Sequence, residues 1–114
     1  MTDFQQNARA AERAMREVFP ETPLLRNAHL SERFEADIWL KREDLSPVRS
    51  YKLRGAFNAM RKVLAVSPEK RLFVCASAGN HAQGVAYASH LVGANASILM
   101  PKHTPKKKVN CRKL

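Results

Sequence analysis

Apolar residues recur at helical spacing in three stretches of the chain. The first predicts a helix over about residues 2–18, with Thr2 or the residue after it as its cap. The second predicts a helix after Ser50, whose hydroxyl can serve as N-cap by accepting a hydrogen bond from a free backbone N–H. The third predicts a helix from about Asn80 to Gly93, because glycine suits a left-handed C-terminal cap. The second helix has apolar residues at Leu53, Ala56, Phe57, Met60, Val63 and Leu64.

Short apolar runs between the predicted helices indicate strands. They cover residues 37–40, 72–76 and 96–100; the second strand is expected to be buried, and Trp39 in the first is expected in the core. A short helix at about 31–35 precedes the first strand. Strand, helix, strand, helix, strand is an alternation typical of a parallel sheet with right-handed crossovers. The sequence therefore predicts an α/β fold, a parallel sheet with flanking helices.

Lys52 lies in the first turn of the second predicted helix. The positive end of a helix dipole disfavours another positive charge at this position. A lysine placed there either extends into solvent or is favoured as a neutral amine, the form that can act as nucleophile or base. Position alone leaves both interpretations open.

A second candidate site is the loop Ser77 to Gly84, which lies where a predicted strand ends and a helix begins. Free backbone N–H groups and the helix dipole converge at such a point, which favours a small anion such as a carboxylate or phosphate. Gly79 allows close backbone approach, and Ser77, Asn80 and His81 add side chains that form hydrogen bonds. Alternatively, Gly79 and Asn80 merely form a tight turn.

Composition adds one unusual feature, a formal net charge of +10 from 20 Lys and Arg against 10 Asp and Glu. Such an excess suits a nucleic-acid or membrane-surface binder, or a fragment separated from acidic sequence. Much of it lies in the tail 102–114, which contains no aromatic residue on which bases could stack. A small basic nucleic-acid-binding protein is therefore the alternative of another class, and a solvated tail is the favoured interpretation.

Other groups point to structure rather than chemistry. The histidines lack the spacing of a metal site, and the neighbouring acids Glu43 and Asp44 should point in different directions. Cys75 is expected to be a small core residue. Two cysteines without a framework, together with no visible secretory signal, indicate a reducing, cytoplasmic compartment.

Three long motifs resemble those of the pyridoxal-phosphate threonine dehydratases, also called threonine ammonia-lyases, and of their biosynthetic type above all. The resemblance extends over roughly residues 20–110. The motifs are Leu-Lys-Arg-Glu-Asp-Leu at 40–45, Arg-Ser-Tyr-Lys-Leu-Arg-Gly-Ala at 49–56 and Ser-Ala-Gly-Asn-His-Ala-Gln-Gly-Val-Ala at 77–86.

The resemblance implies a carbon–nitrogen lyase of pyridoxal-phosphate fold type II, which deaminates L-threonine to 2-oxobutanoate and ammonia in isoleucine biosynthesis. Lys52 would hold the cofactor covalently and later remove the Cα proton of the substrate, while Ser50 and Tyr51 flank the cofactor. Asn80 would bind the ring hydroxyl of the cofactor. The substrate carboxylate would be received by Ser77, Ala78, Gly79, Asn80 and His81.

The motifs distinguish this chain from some related enzymes of the same fold but not from others. Threonine and cysteine synthases usually carry Asp after the lysine and Thr in place of His81, so the motifs argue against them. Serine dehydratase and serine racemase share variants of the motifs and stay open, with L-serine as the second candidate substrate. Family members assemble as homo-oligomers, and no nucleic-acid or membrane partner is implied.

The chain also departs from the family pattern. Its residues 1–114 contain neither the glycine-rich loop that binds the cofactor phosphate nor the later Ser or Cys that faces the pyridine nitrogen, and the ending Cys111 to Leu114 does not follow the motif. We therefore expect an N-terminal part of the catalytic domain, truncated and without a regulatory domain. Such a piece should be inactive alone and should expose apolar strand faces.

Overall fold

The computed structural model describes residues 2–105. None of the helices in this range is long and apolar enough to cross a bilayer. In chain order the elements are α1 (Asp3–Arg16), β1 (Leu24–Arg26), α2 (Ala28–Arg33), β2 (Trp39–Lys41), a 3-10 helix (Glu43–Leu45), α3 (Lys52–Val66), β3 (Leu72–Ala76), α4 (Asn80–Leu91) and β4 (Asn95–Leu99).

The first helix, α1, begins with a reciprocal capping arrangement. The Thr2 hydroxyl accepts from the Gln5 backbone N–H at 3.3 Å, and the Gln5 side-chain oxygen accepts from the Thr2 N–H at 3.0 Å. Two orphan donors at the helix start are thereby satisfied. Arg13 and Arg16 in the last turn complement the negative end of the helix dipole. The predicted helix and its Thr2 cap are confirmed.

The unit β3–α4–β4 confirms the predicted α/β class. The two strands are parallel and in register from Leu72 opposite Asn95 to Ala76 opposite Leu99, with α4 as the crossover. Gly93 has φ of +64°, as predicted for a left-handed position after the helix. A parallel pair joined through a helix is the defining unit of the fold that the sequence indicated.

The first predicted strand does not join this parallel sheet. Instead β2 pairs antiparallel with β1, with Leu25 opposite Leu40 and Arg26 opposite Trp39. Trp39 is 54% exposed, so its predicted core position is wrong. The physical reason is that the two-stranded β1–β2 sheet lies apart from the main apolar cluster of the described residues.

The predicted burial of β3 is also wrong for three of its five residues, Leu72, Val74 and Ala76, which are exposed. Phe73 and Cys75 pack against the core, whereas Leu72 and Val74 are 64% and 63% exposed. Successive side chains of a strand point to opposite faces, and the described helices cover only one face of the β3–β4 sheet. The expectation of exposed apolar strand faces is met, with Leu99 of β4 adding to the open face.

The core lies between α1, α3, α4 and the inner face of the parallel sheet. Leu53 of α3 is 1% exposed, and Phe57 packs edge-on against Phe19 with ring centroids 5.9 Å apart. Edge-to-face contact adds to the free energy gained by burying the two rings. The other buried members of the cluster are Ala11, Met15, Val48, Ala56, Met60, Val85 and Ala88. This packing positions the start of α3, where the candidate site begins.

Candidate functional site

Lys52 is the first residue of α3, as the sequence predicted. Its ammonium lies 4.8 Å from the ring centroid of Tyr51, a cation–π contact with a ring that is 60% exposed. Among residues 2–105, the Lys52 side chain has no hydrogen bond or ion pair. Lys52 as a whole is half-buried.

Ser50 is not the N-cap of α3, which corrects the sequence prediction. The first helical residue is Lys52, so Tyr51 takes the cap position, with helical dihedral angles and no side-chain cap. Ser50 is held instead by Ser46, whose hydroxyl accepts from the Ser50 N–H and donates to the Ser50 carbonyl, both at 2.9 Å. This closed loop leaves the buried Ser50 hydroxyl without a partner among the described residues.

The loop at the start of α4 has the form expected of an anion site. Gly79 occupies the cap position without a side-chain cap, and its own N–H donates to the Ser77 hydroxyl oxygen at 3.2 Å. The backbone N–H groups of Ala78, Asn80 and His81 have no partner within the described range. A Cβ added at Gly79 would meet no atom within 4 Å, so the backbone faces open space. These donors can bind a small anion.

The same loop lies at the carboxyl end of the parallel strands. The Ser77 N–H donates to the Leu99 carbonyl at 3.0 Å, which extends the ladder of hydrogen bonds beyond β3. An open groove follows along this edge, lined by Ala76, Ser77, Ala78, Leu99, Met100 and Pro101. Crevices at the carboxyl ends of strands are the usual ligand sites of open α/β sheets.

Gly84 brings the two candidate regions together. A Cβ at this position would stand 2.9 Å from the Lys52 carbonyl carbon and 3.0 Å from the Leu53 nitrogen, so only glycine lets α4 approach the first turn of α3 this closely. Asn80 lies four residues earlier on the same face of α4, about 6 Å along its axis. The backbone of Lys52 therefore lies against the helix that begins at the anion-binding loop, although no described hydrogen bond joins the Lys52 side chain to that loop.

Sequence reasoning missed a polar cluster beside Lys52, formed by Arg54, Glu43 and Thr22. The Arg54 guanidinium donates to both Glu43 carboxylate oxygens, at 2.8 and 3.2 Å, and to the Thr22 hydroxyl at 3.0 Å. Thr22 in turn donates to Glu43 at 2.8 Å. A bidentate pair of this kind lowers the pKa of Glu43 below its ordinary value of 4.5, with the Arg54 hydrogen bond as the largest cause.

Asp44 points away from this cluster, as expected for adjacent acids. It accepts two hydrogen bonds from Arg42, at 2.8 and 2.7 Å, on an exposed surface. The pKa of Asp44 is lowered mainly by these hydrogen bonds. The two carboxylates therefore belong to separate arginine pairs, which confirms the prediction that they point in different directions.

We predict that Glu43→Gln flattens the loss of stability at acid pH. Because the folded pKa of Glu43 lies below its unfolded value, its contribution is fully present above about pH 4.5 and is lost as pH falls through the folded pKa. The free energy of unfolding of the variant should be about 1–2 kcal/mol lower than that of the wild-type protein at pH 7. Near pH 3 the two free energies should become similar. Urea unfolding at both pH values measures this difference. Asp44→Asn, at an exposed pair, is the control and should change stability less; an equal change in both variants contradicts the prediction.

The other candidate sites are the metal ligands and the basic tail. Within residues 2–105 no group of three or more His, Cys, Asp or Glu could hold a metal ion. The basic tail lies mostly outside the described residues, as do Cys111 and the ending that departs from the motif. Lys102 and His103, which the structure does describe, are exposed.

Comparisons with known proteins agree with the motifs. A model of the family described as pyridoxal-phosphate dependent enzyme matches residues 15–114. The chain is 50% identical over 100 residues to the biosynthetic L-threonine dehydratase of Bacillus subtilis, covering 88% of this chain and 24% of that protein. The chain therefore spans about a quarter of the length of this curated relative.

Solved structures show the same likeness. The processed form of threonine deaminase isoform 2 from Solanum lycopersicum superposes with a TM-score of 0.81 at 36% identity, covering 98% of this chain and 32% of that one. Maize serine racemase also has a TM-score of 0.81, at 26% identity, over 94% of this chain and 33% of that one. The partial α/β fold and the resemblance stated from the motifs are confirmed.

Proposed function

The chain belongs to the family of pyridoxal-phosphate dependent enzymes, and from this premise we propose that it holds the lysine of a threonine dehydratase site. The reaction is the deamination of L-threonine to 2-oxobutanoate and ammonia. The single observation that supports the proposal is the Gly84 contact, which holds the first turn of α3 against α4. Through it the backbone that carries the Lys52 amine lies against α4, the helix whose start has free N–H groups.

The residues present fit the cofactor. The Ser50 hydroxyl is buried without a partner two residues before Lys52, and an unsatisfied buried hydroxyl is costly unless a ligand completes it. The open space above Gly79 and the unpartnered N–H groups around it suit an anionic or polar ligand group. The Gly79 loop lies at the carboxyl edge of the parallel strands, where open α/β sheets usually bind their ligands.

Each residue then has a distinct role. Lys52 would hold the cofactor through its amine, with Ser50 and Tyr51 beside it, and the Asn80 amide would donate to the ring hydroxyl. The Ser77 to His81 backbone would bind the substrate carboxylate and so orient the Cα–H bond. Orienting a reactant in this way contributes to rate by reducing the entropy lost in reaching the transition state.

Pyridoxal phosphate, when bound, supplies an electron sink for charge that develops at the substrate Cα. The Lys52 amine, once released, would accept the Cα proton, because it carries no described hydrogen bond or ion pair that competes for it. The charged carboxylate stays on the N–H groups of the α4 start throughout. The start of α4 would thus bind the substrate carboxylate, and Lys52 at the start of α3 would remove the proton.

L-Serine is the second candidate substrate. The likeness to maize serine racemase supports it, although its identity of 26% is lower than the 36% with the tomato threonine deaminase. A cytoplasmic location and homo-oligomeric assembly are part of the same proposal. They are supported by the biosynthetic names of the relatives and by exposed apolar side chains such as Leu24, Phe34 and Trp39.

The test is selective labelling of the purified chain. Pyridoxal phosphate is added, the absorbance spectrum is recorded, borohydride is used to fix the adduct, and peptides are mapped. We expect the label on Lys52 well above that on Lys62, an exposed lysine of the same helix. If the labelled chain turns over substrate, contrary to the expectation that it is inactive alone, release of 2-oxobutanoate from L-threonine is compared with release of pyruvate from L-serine. Label spread evenly over the exposed lysines would count against the proposal.

A further inference from the structure

The start of α3 has no cap of its own. Tyr51 offers no side-chain hydrogen bond, and no acidic residue lies in the first turn. Backbone N–H groups at a helix start need partners, and an uncapped start frays more readily. Whatever holds the Lys52 turn in place must therefore come from elsewhere in the fold.

One side of this turn is held by packing. Leu53 is fully buried in the core, and Gly84 of α4 contacts the Lys52 and Leu53 backbone. Ser46 closes the preceding loop onto Ser50. These contacts hold the side of the turn that faces α4. They do not hold the side that carries Arg54.

The other side is held by the Arg54–Glu43–Thr22 cluster. Thr22 is 4% exposed, and the Arg54 and Glu43 side chains are only 28% and 20% exposed, so the cluster is largely shielded from water. Within the described residues, all side-chain hydrogen bonds between α3 and the segment 17–45 come from Arg54. The cluster is thus the polar connection between the Lys52 helix and the part of the chain that contains β1 and β2.

The cluster is anchored at its far end as well. The Lys41 ammonium donates to the Thr22 carbonyl at 2.6 Å, and the Arg42 N–H donates to the Pro23 carbonyl at 2.9 Å. Both contacts bind the segment before β1 to the end of β2. Glu43 and Thr22 are therefore held by the small sheet, and a shift of either would be transmitted to Arg54.

We propose that Arg54 and Glu43 are positioning residues that hold the first turn of α3, and with it Lys52, against the segment at Thr22. This inference rests on the proposed function, in which Lys52 holds the cofactor. Within the described residues, Arg54 makes no hydrogen bond to the Lys52 amine or to the anion-binding loop. It acts through the backbone, two residues along from Lys52.

The first experiment needs no cofactor. Amide hydrogen exchange is measured by peptide in the full chain and in Glu43→Gln, Arg54→Ala and Arg54→Lys. Peptides over 51–56 should exchange about tenfold faster in the first two variants, while peptides over α4 keep wild-type rates. Arg54→Lys keeps the charge without the bidentate geometry, so its exchange rates over 51–56 should lie between those of the wild-type protein and those of Arg54→Ala. Asp44→Asn, at the exposed Arg42 pair, is the matched control and should match the wild-type protein.

The second experiment measures the ratio of fixed pyridoxal phosphate on Lys52 to that on Lys62. Loss of positioning lowers this ratio in Glu43→Gln and Arg54→Ala. General destabilisation changes the label on both lysines by the same factor and leaves the ratio constant. Exchange at 51–56 that is unchanged in both variants, or that rises equally across all helices with a constant ratio, overturns the inference. A wild-type chain with no preference for Lys52 refutes the proposed function instead, and the exchange data then decide the inference by themselves.

Discussion

Replacing Lys52 with arginine is expected to reduce borohydride-fixed pyridoxal phosphate on the first turn of α3 to background. A guanidinium stays protonated and cannot form the covalent bond to an aldehyde that a lysine amine forms. The long cationic side chain is otherwise retained, so its contact with the exposed Tyr51 ring can persist. Peptide mapping after reduction measures the loss.

The matched control for this prediction is Lys62→Arg. Lys62 is an exposed residue of the same helix, and its replacement removes one surface amine without touching the candidate site. The control should keep the wild-type label on Lys52 and the same thermal midpoint. If Lys52→Arg keeps the label of the 51–56 peptide, or if both variants lose it equally, Lys52 is not the residue that holds the cofactor.

Helices and strands of this chain were predictable wherever one periodic pattern determined them. The apolar spacing of α3 gave its buried residues Leu53, Ala56, Phe57 and Met60, and the run at 72–76 gave the bounds of β3. Such patterns depend on neighbours within one or two turns, and the backbone satisfies them locally. Which face of β3 is covered depends on distant elements, so the exposure of its alternate residues was not predictable.

Apart from the Ser50 cap, which is replaced by a contact with Ser46 four residues earlier, the missed features involve residues distant in sequence. The pairing of β2 with β1 competes with a place in the parallel sheet, and no local signal decides between them. Arg54 binds Thr22 across 32 positions, so its motif suggested importance but not a partner. From the sequence alone, Gly84 is a glycine that lowers the stability of a helix. The close approach of the Lys52 backbone explains why it is there. Lys52 and the 77–81 loop could be predicted as candidates because each combines residue type with a helix start, and the motif resemblance favoured the functional interpretation that position alone left open.

The second large effect is expected at Gly84. In Gly84→Ala the new Cβ would meet three backbone atoms of the Lys52 turn, at 2.9 to 3.0 Å, and backbone atoms cannot rotate away as a flexible side chain can. The helices α3 and α4 must separate, at a cost of about 1–3 kcal/mol in the free energy of unfolding. Since domains of this size are stable by only about 5–15 kcal/mol, this is a large fraction.

Gly55→Ala is the matched control, because Gly55 lies within α3, is exposed, and has nothing within 4 Å of an added Cβ. Alanine loses less conformational entropy in a helix, so this variant should be stabilised by about 0.5–1 kcal/mol. Urea unfolding of the two variants should therefore shift in opposite directions, and selective label on Lys52 should fall only in Gly84→Ala. A Gly84→Ala protein as stable as Gly55→Ala would mean that α4 does not approach the Lys52 turn as closely as described. The contact of the Lys52 backbone with the helix that follows the anion loop, on which the proposed site depends, would then be lost.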